Sequence, residues 1–485
     1  MLESSLSRIP CGMSDAPPIP EPLWDTVPPE AKAAIGALLS TLERRIADLE
    51  ERVNKNSSNS SKPPSSDPPS VKRRPPAPAS GKKRGGQPGR RHHPRALVPP
   101  EQLRQVIECK PPECRWCGHE LHGDDPEPIR HQVAEVPPVR PVVDEYRLHR
   151  LKCPRCRTST CAALPPGVPT GAFGPRLRAI LSVLAGGYRL GKRPIRRLAF
   201  DLLGLTISTG MIARLERQGA AELEAPVEEL RGHVRQADVA HVDETSWRQG
   251  QDKAWLWGAV TRLVTVFTIA TSRGADVAKG ILGTDRRKVV ISDRFKSYGW
   301  IKRRQFCWAH LNRDFQAMID RGGESAEVGR RLPEHSDALF GWWHRVRDGT
   351  ISRSTFRSYV GLMRPCLRED LQRGAAYACP KTAATCRELL AGETHLWTFV
   401  RVEGVEPTNN GAERALRHGV IYRKLSGGTD SEAGSRFVER ILSVVATCRQ
   451  QDINVLDYLT RCYQAHLDGQ PVPSLLPAAS NAQAA

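Results

Sequence analysis

Between Asn54 and Arg95 this sequence offers almost nothing to bury. The run is built of Asn, Ser, Pro, Gly and base, and Val71, Ala77 and Ala79 are its only aliphatic side chains apart from proline. Such a composition cannot offset the entropy of ordering the chain, so residues 55–100 are expected to form a disordered basic linker. No single core can span it, and the 485 residues must divide around it into several domains. Nine Lys and Arg fall between Lys72 and Arg95 with no acid among them: Lys72, Arg73, Arg74, Lys82, Lys83, Arg84, Arg90, Arg91 and Arg95. They carry about half of a formal net charge of +19. The stretch reads either as a solubilising spacer or as a non-specific phosphate-binding arm acting by counterion release. An excess of this size implies a polyanionic partner, nucleic acid first.

No run approaches the roughly 18 apolar residues that a membrane-spanning helix needs. Met1 to Pro20 lacks the apolar centre of a secretory signal. The chain is therefore expected in the cytoplasm, with no membrane partner.

Upstream of the basic stretch, Ile35, Leu39, Leu42, Ile46, Leu49 and Val53 are spaced 4, 3, 4, 3, 4. This predicts a helix over 28–54 with a heptad seam. The seam suits a coiled coil with another copy or packing on the chain's own domain; a neighbouring linker without a core favours the homo-oligomer. Downstream come two C-x-x-C knuckles, Cys114–Cys117 and Cys153–Cys156. Two knuckles supply the four thiolates of a structural Zn²⁺ site, which predicts a zinc-binding module over 101–165. Alternation near Val142 to Leu151 suggests strands between them. Cys109, Cys161, His119 and His131 are competing ligands.

Residues 171–232 read as helical. A helix beginning near Pro194, a stop at Gly204 and a cap at Ser208 give two helices joined by a short turn. This is the helix-turn-helix layout, which would offer Thr209, Arg214 and Arg217 to a DNA groove. An ordinary helical hairpin has the same spacing.

The period then changes. Val239 to Glu244 reads as a buried strand, Trp255–Val260 and Val264–Ala270 as a hairpin, Ala275–Leu282 as a helix, and Val289–Asp293 as another buried strand. If the first and last strands pair, Asp243 and Asp293 come to neighbouring strand ends. Two carboxylates that close repel unless a divalent cation lies between them, so Mg²⁺ or Mn²⁺ is expected. A third acid is offered by Glu413, four residues after Asn409 on one helix face; Asn410 with Glu413 also reads as a capping box. Glu244, adjacent to Asp243 along the strand, should face the other way. Arg414 and Arg417, beside Glu413, would contact phosphate or pair with the acids. Residues 324–400 lack good strands and read as a helical insertion, preceded by Cys307-Trp308-Ala309-His310. Helices are expected over Glu432–Gln450 and Val455–Ala465, and a disordered tail from Gln470.

The ordered set HVDETSW, ISDRFKSY, FCWAHLNRDF and NNGAERALR resembles the transposases of insertion-sequence family 66. So do NKNSSNSSKPPSSD followed by KKRGGQPG, and the paired C-x-x-C. The resemblance covers nearly the whole chain, from about Ala31 to Leu467. It implies a ribonuclease-H-like core with an Asp-Asp-Glu triad, which falls on Asp243, Asp293 and Glu413, and Mg²⁺ (or Mn²⁺) held by the same residues. One departure is Thr408, where the family usually has Asp before the two asparagines. By the same resemblance Cys307 and His310 would structure the insertion near the site; a buried Cys and a helix-start His is the plainer reading.

The expectation is thus a multidomain α+β protein. It has a coiled-coil helix (28–54), basic linker (55–100), zinc module (101–165) and helix-turn-helix-like DNA-binding region (171–232). A ribonuclease-H-like α/β core (235–425) with a helical insertion at about 320–400 and a C-terminal helical region (426–470) follow. The expected function is a nucleoid-associated bacterial DNA transposase, partnered by element ends, target DNA and possible accessory proteins of its element. The alternative is a catalytically inactive, zinc-containing DNA-binding regulator derived from one.

Overall fold

The computed structural model describes residues 26–60, 67 and 96–477. They form a mixed α+β fold of two compact units. The first comprises the described residues of Met1–Val71 with Arg235–Asp243 and Gly274–Arg414; the second comprises those of Lys72–Val234 with Glu244–Arg273 and Ala415–Ala485.

In the first unit, helix α1 (Pro29–Asn54) is a single run with Pro at its first turn, where a missing N–H costs nothing. Its polar face is tied down: Lys381 Nζ reaches Asp48 at 2.6 Å and Glu51 at 2.7 Å. Its apolar seam is not. Leu42, Ile46, Leu49 and Val53 stay 45%, 55%, 53% and 81% exposed. The expected disordered linker is corrected at its start. Lys55–Ser60 forms turns in which Asn59 Oδ1 accepts the Asn56 N–H at 2.8 Å and Asn59 Nδ2 donates to Asp320 at 2.8 Å. Short Asn and Ser side chains satisfy the local backbone without any core.

The sheet has the order β5-β4-β3-β6-β7. Its strands are β3 (Val239–Gln249), β4 (Asp252–Val260), β5 (Thr265–Ala270), β6 (Val289–Ser292) and β7 (Arg303–Phe306). Strands β3, β6 and β7 are parallel, and β4 and β5 are antiparallel. All four residues of β6 are buried, as a parallel strand covered on both faces requires. Strand β3 does not end at its acids but runs on to Gln249. The run Arg303–Phe306 carried no strand signal because two of its four residues are Arg and one is Gln; Arg304 and Gln305 are nonetheless buried.

The helical insertion begins earlier than expected, at Trp308. It contains α7 (Trp308–Arg321), α8 (Gly323–Arg347), α9 (Arg353–Ala376), α10 (Pro380–Ala391) and α11 (Thr398–Arg401); α6 (Ala275–Leu282) precedes it. Its core is aromatic. Trp343 meets Phe399 edge-on at 5.2 Å between ring centroids, and Trp308 lies 5.4 Å from Trp397. Side chains of this size contribute about 2–3 kcal/mol each when buried. The insertion's two ends meet, since Trp308 N–H donates to Pro407 O at 3.0 Å.

In the second unit, α2 (Pro175–Ser182) and α3 (Lys192–Leu203) lead to Gly204, a left-handed helix stop at φ +64°. Ser208 Oγ then accepts the Met211 N–H at 3.1 Å and caps α4 (Thr209–Glu222), which α5 (Glu224–Gln236) follows. The predicted pair of helices and its cap are therefore present. The hairpin β1 (Arg150–Lys152) and β2 (Ser159–Cys161) is short. The strands expected near Val142 to Leu151 shrink to β1, because Pro137, Pro138 and Pro141 lie just upstream and the alternating residues have no sheet to face.

Helix α13 (Glu432–Gln450) forms where its apolar spacing predicts a helix, and it lies along β5. Thr447 Oγ1, Ser443 Oγ and Glu439 Oε1 accept the backbone N–H groups of Thr265, Phe267 and Ile269. Four helical residues rise about 6 Å and two strand residues about 6.7 Å, so the two series stay in step. Helix α14 (Val455–Leu467) follows. The tail expected to be disordered from Gln470 is packed as far as it is described. Leu475 is buried, and Tyr458 OH donates to Pro473 O at 2.8 Å.

Candidate active site

Strands β3 and β6 run parallel with Val239 opposite Val289, Ala240 opposite Val290 and His241 opposite Ile291. Asp243 and Asp293 each lie two residues beyond the last of these pairs. The sequence-predicted acids are thus at matching positions on paired strands. Both are half-buried. Asp293 is oriented by its own turn, its Oδ1 accepting the Phe295 N–H at 2.9 Å. Arg304 of β7 lies behind it, donating to Asp293 O at 2.7 Å and Ser292 Oγ at 3.2 Å. Burial lowers the Arg304 pKa to about 10, against the opposing pull of Asp293. Glu244 is buried and paired with Arg273 at 2.7 Å, in keeping with its assignment to the other face.

Glu413 stands in the first turn of α12 (Asn410–Ser426). Its Oε1 is 3.5 Å from His310 Nδ1, and its Oε2 is 3.7 Å from Arg313 Nη2. Both Glu413 Oε1 and His310 Nδ1 are buried without a hydrogen-bond partner. Burial pulls the His310 pKa down despite Glu413, and pushes the Cys307 thiol up to about 12. Among the described residues, Cys307, His310 and Glu413 form the one group of three ligand side chains within 4.8 Å of one another. Asp243, Asp293 and Glu413 do not meet that spacing as a set. The donors still suit a hard divalent cation: three carboxylates, one with a buried oxygen that lacks any donor.

The capping-box alternative is corrected. Helix α12 starts at Asn410, so Asn409 is the residue before it, and Asn409 turns its side chain to strand β3 instead. Its Nδ2 donates to Val242 O at 2.7 Å, and its Oδ1 lies 3.2 Å from His241 Nδ1. Burial lowers the His241 pKa to about 4, so the ring is neutral. Thr408 is half-buried and makes none of these contacts. Sequence reasoning placed Asn409 on one helix face with Glu413 and took Cys307 and His310 from their motif, but gave no role to Arg304 or to Arg313, which stands in the same FCWAHLNRDF motif. No local pattern marks Arg304, and the partner of Arg313, Glu413, lies far along the chain.

Arg414 and Arg417 are exposed, and among the described residues neither forms an ion pair. Arg214 and Arg217 are exposed on α4, and Thr209 is half-buried. Lys72, Arg73, Arg74, Lys82, Lys83, Arg84, Arg90 and Arg91 lie outside the described residues.

Both cysteine knuckles are formed. Gly118 N–H donates to Cys114 O at 2.9 Å with Gly118 at φ +69°, and Arg157 N–H donates to Cys153 O at 2.9 Å with Arg157 at φ +58°. The hydrogen bond from Thr158 lowers the Cys156 pKa to about 7. The two pairs of sulfurs are not brought into one group.

A mixed α+β fold that sets two aspartates on paired parallel strands defines a carboxylate-site protein. The chain belongs to the transposase IS66 family, whose sequence model matches residues 171–436, more than half of its length. Membership supports a transposase-type function. A family of unknown function matches residues 19–96. Two relatives from Sinorhizobium fredii (strain NBRC 101917 / NGR234) carry the names uncharacterized protein y4qI and uncharacterized protein y4hP. The first is 24% identical over 416 residues, covering 77% of this chain and 74% of the relative. The second is 23% identical over 399 residues, covering 73% and 70%. Among the described residues, no helix is long and apolar enough to cross a membrane.

Proposed function

We propose that this chain is a DNA transposase with a ribonuclease-H-like core, cutting and joining DNA strands at the ends of an insertion sequence through Asp243, Asp293 and Glu413. The observation that carries this reading is the register of β3 against β6, two residues short of both aspartates. Mg²⁺ or Mn²⁺ held by the three carboxylates would supply the positive charge that activates an oxygen nucleophile and stabilises the leaving oxygen at phosphorus. Asp293 is held by the Phe295 N–H with its backbone braced by Arg304. Arg313 beside Glu413, with the exposed Arg414, gives a positive rim for a phosphodiester. Attack by water forms a new P–O bond as the bond to the 3′ oxygen breaks, leaving a 3′-hydroxyl and a 5′-phosphate; attack by that hydroxyl on a target phosphodiester joins the strands and releases the target's own 3′-hydroxyl.

Asp293→Asn is expected to keep DNA binding and abolish Mg²⁺-dependent nicking of DNA carrying the element's ends. Nicking by that variant at the wild-type rate would overturn the assignment. Absence of nicking by the wild type would favour the inactive regulator.

The remaining assignments belong to the same reading. The basic arm and the exposed Arg214, Arg217, Arg414 and Arg417 contact DNA phosphates, with Thr209 at the start of α4 offered to the groove. Cys114, Cys117, Cys153 and Cys156 hold a structural Zn²⁺. The module around them supports this: Trp116, Ile129, Val133, Val142, Val143 and Leu151 are exposed, so it has no core to stabilise it and needs a metal cross-link. A second copy pairs through the α1 seam. Leu39, Ile46 and Val53 occupy one heptad position and Ile35, Leu42 and Leu49 the other. Ile46 and Val53 at the first with Leu42 and Leu49 at the second favour two parallel helices. In that register Arg45 faces Glu50 of the second copy.

A further inference from the structure

Each of the three carboxylates is carried by a different chain segment, so something must fix the segments relative to one another. We infer that Asn409 and Cys307 do this as positioning residues, tying the segments of Asp243, Asp293 and Glu413 into one hydrogen-bonded node. The inference deepens the transposase reading and rests on it.

The connections are explicit. Cys307 N–H donates to Ser292 O at 3.0 Å, one residue before Asp293. Cys307 Sγ accepts the Asn409 N–H at 3.1 Å. Asn409 Nδ2 donates to Val242 O at 2.7 Å, one residue before Asp243. Asn409 O accepts the N–H of Glu413 at 3.1 Å. One asparagine and one cysteine thus reach the backbone next to, or at, all three acids. Asn409 is 0% exposed and Cys307 1%.

The residue types follow from the contacts. An amide side chain donates to Val242 O through its nitrogen while presenting a separate oxygen to His241. Asp at 409 would set a carboxylate against a carbonyl oxygen. A plain helix cap would bond to its own first turn; Asn409 sends its side chain to another strand. The sulfur of Cys307 is buried, which keeps it a thiol that accepts the Asn409 N–H.

The experiment uses the full chain, with Asn409→Ala, Asn409→Asp, Cys307→Ala and Cys307→Ser beside a remote core control, Leu371→Ala. Three quantities are measured: melting temperature, Mn²⁺ affinity by calorimetry without DNA, and the half-saturating Mg²⁺ concentration for nicking. Asn409→Ala is expected to weaken Mn²⁺ binding and raise half-saturation by about tenfold or more, the scale of losing an outer-shell partner of a metal ligand. Cys307→Ala follows in the same direction, with partial rescue in Cys307→Ser, which keeps an acceptor. The control loses melting temperature and shifts neither metal readout. Wild-type Mn²⁺ affinity and half-saturation in Asn409→Ala overturn the inference, as does an equal shift in the control. If Asn409→Ala does not fold, Cys307→Ala carries the same test. A wild type that neither binds Mn²⁺ nor nicks DNA overturns the triad reading itself.

Discussion

Gly428 sits at φ +114°, and a Cβ added there would come within 2.4 Å of Arg248 O. Backbone cannot yield as a flexible side chain does, so strain and overlap add. Gly428→Ala should cost about 2–3 kcal/mol, read as a lowered melting temperature. Glu439 makes a different kind of prediction. Its side chain is fully buried, 2.9 Å from Arg436, and burial raises its pKa against the pull of Arg436. The folded state therefore holds a proton on this carboxyl more tightly than the unfolded chain does. Its charge is a cost at neutral pH that is relieved as pH falls toward the carboxyl range. Gln at 439 does not titrate. The melting temperature of wild type minus that of Glu439→Gln should become more positive from pH 8 to pH 5; a constant or shrinking gap would show that Arg436 outweighs burial. The residues legible in the sequence were those that end apolar strands or stand in motifs, namely Asp243, Asp293 and Glu413. Asn409's role was not legible, because its partners, Val242 and His241, lie more than 160 residues away in sequence.

At the scale of elements, strands were readable where burial is apolar and hidden where it is polar. Val289–Ile291 announces β6, whereas the neighbouring β7 buries Arg304 and Gln305 because both find backbone and side-chain acceptors. The helices α13 and α14 were legible from their apolar spacing. The hydroxyls and carboxylate by which α13 covers β5 were not, although a bare edge strand would otherwise expose a row of donors to other chains. On the proposed reading, the two-knuckle cysteine module is the element whose order depends most on something outside the chain. Purified protein should carry one zinc per chain, and chelation should unfold residues 109–161, followed by loss of the β1–β2 amides from hydrogen-exchange protection. Metal-free protein with freely reactive thiols and unchanged protection would contradict this.

For the whole molecule, the exposed α1 seam predicts association. Ile46→Asp should shift the sedimentation of the full chain from dimer to monomer without lowering the melting temperature of the first unit, because the docked face of α1 uses Asp48 and Glu51 instead. A wild-type monomer would refute the pairing. The positive excess, whose greatest concentration lies outside the described residues, points to a polyanionic partner but says nothing of how the carboxylates are arranged. The insertion between Asp293 and Glu413 bears on that arrangement in another way. Since Trp308 N–H and Pro407 O are hydrogen-bonded, the long excursion leaves the sheet and returns to the same point. To the rest of the chain it is a short hairpin, whatever its length. A cut in the chain at the exposed turn near Gly349, within that closed loop, would leave every strand and the start of α12 where they are, so protein nicked there by a protease should keep its Mn²⁺ affinity.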